Sequence, residues 1–206
     1  MNKKYLVLLT VFCLICVLGI ATAKSNKNQS IDINDIPEQE GTYDIKNHPE
    51  MKLKVFVYRA KPSPNPTVPS NVCGISDPGS NVLVDGAGWT IPNEWTYRLN
   101  LSSVPASVGS DNLISIAENA YNEWESATNI NFIRGANTTV NRAKRDYQNI
   151  VAWGTAPSSA LAVSYIWYSN GVALEVDTIL NKRFTWYCSG GDSSCAYQGV
   201  YDAQNI

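Results

Sequence analysis

Residues 149–153 (NIVAW), 161–168 (LAVSYIWY) and 172–180 (VALEVDTIL) decide the fold class of this 206-residue chain. Each run is short and apolar, with β-branched and aromatic side chains, and this composition predicts three β-strands. Residues 95–101 (WTYRLNL) and 130–134 predict two further strands upstream. The chain therefore contains the material for a sheet of about five strands.

One amphipathic helix is predicted between the strands at 95–101 and 130–134. Ser110 is a candidate N-cap, and Asp111 follows it near the positive end of the helix. Apolar residues then recur at spacings of three and four: Leu113, Ile116, Ala117, Ala120, Tyr121, Trp124 and Ala127. The order strand, helix, strand, strand predicts an α/β (α+β) fold, in which a twisted mixed sheet packs on a long helix.

The first 23 residues have the pattern of an export signal. Lys3 and Lys4 precede an apolar run at 5–20, and Ala21-Thr22-Ala23 is a small-x-small cleavage site. No second apolar run of membrane length follows, so we expect a secreted, extracellular chain with no membrane contact in its mature form. The alternative is that the run at 5–20 is retained as an N-terminal anchor. A net charge of −2 gives no indication of nucleic-acid binding.

Residues 24–87 are predicted to be a polar leader or pro-segment outside the main domain. Residues 24–50 are polar with scattered acids, 51–58 (MKLKVFVY) predict a strand, and four prolines within 61–70 predict an extended linker. The domain itself is expected to span residues 88–206 and to be monomeric.

Three cysteines remain after signal removal. Cys188 and Cys195 bracket a flexible polar loop, and thiols tend to pair outside the cell, so a local disulfide is predicted. Cys73 is then left without a partner, which requires a separate explanation.

Residues 73–206 resemble the matrixin branch of the metzincin zinc peptidases. The resemblance lies in an ordered set of segments: Trp89 with 95–99, the pattern A-x-x-x-W-x-x-x-T-x-x-x-F at 120–132, residues 149–153, and 175–181 (EVDTILN) followed by Trp186. It implies that residues 88–206 are the N-terminal part of a metzincin-like catalytic domain. The implied function is a secreted zinc metalloendopeptidase that hydrolyses peptide or protein substrates through a zinc-activated water.

The segment Cys73-Gly74-Ile75-Ser76-Asp77 is similar to the C-G-x-x-D core of the matrixin cysteine switch. The resemblance implies that Cys73 is an inhibitory zinc ligand, since a thiolate can close the fourth position of a zinc site. Val72 and Ser76 stand where the family motif has arginine and proline. The alternative is that Cys73 is free or is paired with another chain.

The zinc-binding sequence of the family, H-E-x-x-H-x-x-G-x-x-H, does not occur in residues 1–206. The one histidine, His48, lies in the leader and is interpreted as a solvated side chain. The resemblance places the zinc helix just beyond Ile206, so this chain alone is expected to be inactive. It is then a fragment, a frameshift product or an inactive relative.

The strand at 160–167 resembles the cleft-edge strand of the family, to which an extended peptide adds as a further strand. The resemblance implies a substrate-binding rim formed by Ser164, Tyr165, Ile166 and Trp167. The alternative is that Val163, Tyr165 and Trp167 share one face and pack in the core.

Glu175 and Asp177 lie two residues apart and therefore on one face of a strand. Three interpretations stay open: a solvated face, a pair of calcium ligands, or catalytic carboxylates. Zinc and calcium are thus the cofactors considered. Because Trp and Tyr are abundant and no catalytic set is evident, the alternative function is a secreted non-catalytic module that binds peptide or carbohydrate.

Overall fold

The computed structural model describes residues 29–59, 90–188 and 201–203. These residues form ten strands, one α-helix and a short 3-10 helix. The elements in chain order are β1 (Gln29–Ile31), β2 (Gly41–Ile45), β3 (His48–Arg59), β4 (Glu94–Leu99), the 3-10 helix (Leu101–Ser103), α1 (Ser110–Ala127), β5 (Asn131–Arg134), β6 (Asn149–Gly154), β7 (Ala160–Ser169), β8 (Val172–Asn181), β9 (Trp186–Tyr187) and β10 (Tyr201–Asp202).

Eight strands form one mixed sheet in the order β1-β2-β3-β7-β8-β6-β4-β5. Strands β4, β5, β6 and β8 are mutually parallel, whereas β7 is antiparallel to both of its neighbours, β3 and β8. With one α-helix among the described residues, the fold is broadly α+β, as the sequence predicted. The expected count of about five strands was too low, because three strands come from the leader.

The leader is part of the sheet. Residues 29–59 contribute β1, β2 and β3, and β3 lies inside the sheet between β2 and β7. The sequence analysis had placed these residues outside a domain that begins at residue 88. Leu53 and Val55 of β3 are fully buried against the remainder of the sheet, so the leader and the domain share one core.

Successive side chains of the central strands enter two different cores. On β8, Ile179 belongs to a cluster with the leader, whereas Leu180 belongs to a cluster that includes residues of α1. This alternation follows from the two-residue period of a strand. Both faces of the central strands are therefore covered, which explains their continuous apolar sequence.

Helix α1 begins at Ser110, but Ser110 does not act as its N-cap. The capping position is Gly109, with φ of 85°, and the Ser110 hydroxyl donates to the carbonyl of Leu101. Leu113 and Ala117 are the buried residues of the helix, while Trp124 of the predicted apolar stripe is 62% exposed. The buried stripe is thus narrower than the sequence predicted.

The hairpin between β7 and β8 turns through Asn170 and Gly171. Both residues have positive φ, 49° and 76° respectively. Such a two-residue turn requires left-handed backbone at both positions, and Asn-Gly is the pair that adopts it most readily. This turn fixes the register in which β7 lies against β8.

Candidate functional site

The side of β7 that faces away from β8 is the place where the sequence analysis expected an extended peptide to add. In the structure this side is paired with β3 in antiparallel register, from Met51 opposite Ser169 to Arg59 opposite Ala160. Strand β7 therefore has partners on both sides. The prediction that β7 presents an open edge was wrong, because a strand of the leader already occupies it.

Side chains on one face of β3 and β7 form a continuous apolar layer. Leu53 and Val55 are each 0% exposed, and they share a core cluster with Val163, Tyr165 and Trp167. Burial raises the pKa of Tyr165 to about 12. The pairing of β3 with β7 is thus supported by side-chain packing as well as by the backbone ladder.

None of the four residues predicted to line the rim is exposed. Tyr165 and Trp167 pack in the core, as the alternative interpretation stated. Ser164 shares a hydrogen bond of 2.9 Å with the hydroxyl of Thr178, and Ile166 packs against Trp95. With β3 in place, these side chains do not contact solvent as a binding surface would.

Glu175 is fully buried and has a complete set of partners. Its carboxylate forms an ion pair with Arg145 and accepts the backbone N–H groups of Asp146 at 2.9 Å and Tyr147 at 2.5 Å. Burial raises the pKa of Glu175, and these donors oppose that rise. Glu175 thus fastens the segment before β6 to the neighbouring strand β8.

Asp177 is 1% exposed and is only partly hydrogen-bonded. Its Oδ2 accepts the N–H of Lys144 at 2.9 Å, whereas its buried Oδ1 has no partner among the described residues. Burial raises the pKa of Asp177 to about 8, the backbone N–H groups of Lys144 and Ile150 oppose the rise, and the charges of Glu175 and Asp146 add to it. Burial therefore favours the neutral form of Asp177 over the carboxylate.

The interpretation of a solvated strand face was wrong for these two acids. Glu175 and Asp177 are buried, and the opposite face of β8 is covered unevenly: Leu174 is 38% exposed, whereas Leu180 is buried. Both oxygens of Glu175 are already engaged by Arg145 and backbone donors. Calcium at this pair stays a prediction, and the structure shows a buried ion pair beside a second buried carboxyl group.

Arg145 was not identified from the sequence. Its side chain is 6% exposed, and its guanidinium lies over the ring of Tyr147 at 4.1 Å from the centroid. Tyr147 has φ of 63°, an unusual conformation that aims its N–H at Glu175. The basic run at 142–145 (RAKR), close to two acids on an apolar strand, was the signal that could have revealed this cluster.

The described residues do not fit a catalytic zinc site. His48 is the one histidine of the chain; its side chain is 45% exposed and lies 3.8 Å from Glu50. In the described ranges, no three His, Cys, Asp or Glu side chains converge closely enough to hold a metal ion. An expected zinc therefore has no ligand set in this part of the chain.

The predicted cysteine chemistry falls largely outside the described residues. Cys73 and Cys195 lie outside the described residues, so the inhibitory zinc ligand at Cys73 and the disulfide between Cys188 and Cys195 both stay predictions. Cys188 is half-buried and packs against the core cluster that contains Trp153 and Trp186.

No helix within residues 29–59, 90–188 and 201–203 combines the length and the apolar character needed to cross a bilayer. Comparison with known proteins gave no matching family model, no matching curated protein and no matching solved structure.

Proposed function

We propose that this chain carries the substrate-binding sheet of a secreted, matrixin-like zinc metalloendopeptidase. The observation that supports this most is the position of β7. Among the sheet strands formed by residues 94–181, β7 is the outermost on its side, and it is antiparallel to β8. This is the strand that the sequence resemblance assigns to the cleft edge, and it holds an extended segment on its outer side.

Strand addition explains how such an edge recognises a peptide. Main-chain N–H and C=O groups of β7 supply hydrogen bonds that do not depend on peptide sequence, and alternate side chains of the peptide meet the sheet face. The hairpin at Asn170 and Gly171 holds β7 in register with β8, which pre-orders the edge, but a substrate peptide can pair there only after β3 has left it. Pre-ordering of the edge reduces the entropy that peptide binding must overcome.

Hydrolysis needs more than this sheet. A catalytic zinc would supply a water activated at neutral pH, but the described residues do not fit a zinc site. No catalytic step is therefore assigned to residues of this chain. In the proposed protein the ligands belong to polypeptide encoded after Ile206.

The test begins with the nucleotide sequence beyond codon 206. We expect an H-E-x-x-H coding sequence in one of the three frames. The chain extended through that sequence should bind about one zinc, measured by mass spectrometry of metals, and should cleave quenched fluorescent peptides until a chelator is added. A downstream region with no such sequence in any frame, or an extended protein that binds no zinc, would refute the peptidase proposal.

A second candidate is a secreted module that binds peptides without cleaving them. The same pairing of β3 with β7 favours it, because strand addition needs no metal. Peptide binding that is unchanged by chelators, together with no hydrolysis by the extended chain, would favour this candidate over the first.

A further inference from the structure

We infer that the outer edge of β7 is a strand-binding site whose resident ligand is β3, and that residues 29–59 stay bound there after the chain is cut between Arg59 and Thr90. The ligand class is an extended antiparallel segment with aliphatic side chains at alternate positions. Only the assignment of this edge to a peptide substrate rests on the proposed function. Retention of the strand requires neither zinc nor hydrolysis.

The backbone contact is long. Strand β3 has nine register partners on β7, from Met51 to Arg59, and its other side pairs with β2. Each peptide group of an interior strand donates or accepts on one of these two sides. A cut beyond Arg59 removes none of these bonds, because all of them lie before it.

The side chains define the class of ligand. Met51, Leu53, Val55 and Val57 face the shared core, with Leu53 and Val55 completely buried. Lys52 and Lys54, which lie between them, are only half-buried. A ligand for this edge therefore needs aliphatic side chains at every second position, whereas the intervening positions hold two half-buried lysines and Phe56, which packs against the cluster that contains Ile166.

The rest of the leader strengthens the attachment. Ile31 of β1 and Tyr43 and Ile45 of β2 are buried in the same cluster as Leu53. Detachment of the leader would expose this whole set at once, and the loss of apolar burial opposes it. Residues 24–59 contain no cysteine, so retention after a cut could not come from a disulfide.

The consequence is competition for one edge. A second peptide cannot pair with β7 while β3 is present, since nine residues of β3 already pair with this edge. A single cut between the leader and the remainder of the chain thus leaves the edge occupied. Access for another peptide requires loss of the leader strands themselves.

The test uses the full chain with a specific protease site inserted between Arg59 and Thr90. After cleavage under native conditions, size-exclusion chromatography and native mass spectrometry should show both pieces as one complex. Leu53→Ala should weaken the association of the pieces at least about 30-fold, as truncation of a fully buried leucine does. Lys54→Ala, one position away on the other face, is the matched control and should leave retention unchanged.

Dissociation of the unsubstituted pieces on cleavage would overturn the inference. So would equal release by Leu53→Ala and Lys54→Ala, because the alternation of faces would then have no effect. Should Leu53→Ala fail to fold, Val55→Ala applies the same test with a smaller truncation on the same face. No zinc or cleavage assay enters, so this result is independent of the peptidase proposal.

Discussion

Replacement of Asp177 by asparagine should remove part of the pH dependence of the chain's stability and make the chain more stable at pH 8. Asp177 is buried, and its Oδ1 has no partner among the described residues. Asparagine has nearly the same shape and is neutral at every pH, so Asp177→Asn keeps an acceptor for the N–H of Lys144 and avoids the charge.

The magnitude follows from the pKa of Asp177, which rises from its ordinary value of 3.8 to about 8 on folding. Between these values the folded chain holds a proton that the unfolded chain does not, so stability falls as pH rises through the window and levels off above it. Each pH unit contributes about 1.4 kcal/mol. The wild-type chain should therefore lose about 4 kcal/mol between pH 5 and pH 8 through this residue, and Asp177→Asn should not.

Urea unfolding followed by tryptophan fluorescence at pH 5 and pH 8 measures this difference. The variant should be the more stable protein at pH 8 by a few kcal/mol, with an unchanged denaturant slope. Groups that do not interact with Asp177 contribute equally to both proteins and cancel in the comparison. Asp111→Asn makes the same chemical change at an exposed helix position and controls for loss of a carboxylate. The reasoning fails if Asp177→Asn and wild type lose equal stability between the two pH values.

Two further predictions concern the ion pair and a close backbone contact. Arg145→Met and Glu175→Gln should each lower the free energy of unfolding by about 3–5 kcal/mol, because each leaves a buried group unpaired, and the double variant should recover most of that loss. Additive losses in a urea double-mutant cycle would show that the two residues are not coupled. Gly154→Ala would place a Cβ 2.1 Å from the carbonyl oxygen of Asn141, so it should destabilise by about 3 kcal/mol. In Gly41→Ala the added Cβ would lie 3.4 Å from the ring of Tyr43, an ordinary contact, so this substitution should change the melting temperature little. Equal effects of the two substitutions would contradict this reasoning.

The helix and the strands β3 to β8 were predictable because their signals are local, whereas β1, β2, β9 and β10 were not predicted. The run at 161–168 forms the core of β7, and residues 149–153 form most of β6. The helix predicted to start at Asp111 after a cap at Ser110 begins one residue earlier, at Ser110, and ends at Ala127. In each case hydrophobic period and length indicate the element type without reference to distant residues.

Membership of the leader in the sheet was not predictable in the same way. The run at 51–58 was recognised as a strand, but its partner β7 lies more than 100 residues further along the chain. A period-two pattern tells which face of a strand is apolar and not which strand it joins. The pairing of Leu53 with Trp167 is therefore a tertiary result.

The acids of β8 show a second limit of prediction from the sequence. Polar residues at alternate positions predict a solvated face, yet Glu175 and Asp177 are buried. The segment that contains Arg145 covers that face and supplies a guanidinium and backbone N–H groups. Charge compensation of this kind comes from a part of the chain about 30 residues away, so strand patterning could not reveal it.

The sequence by itself determined the runs that become strands and helix, the turn at Asn170 and Gly171, and the absence of a second histidine. These are properties of neighbouring residues or of composition. Tertiary structure alone decided that β3 occupies the outer edge of β7 and that Arg145 neutralises Glu175 inside the core. The physical reason is that edge pairing and desolvation depend on which distant segments meet, and only the folded chain brings those segments together.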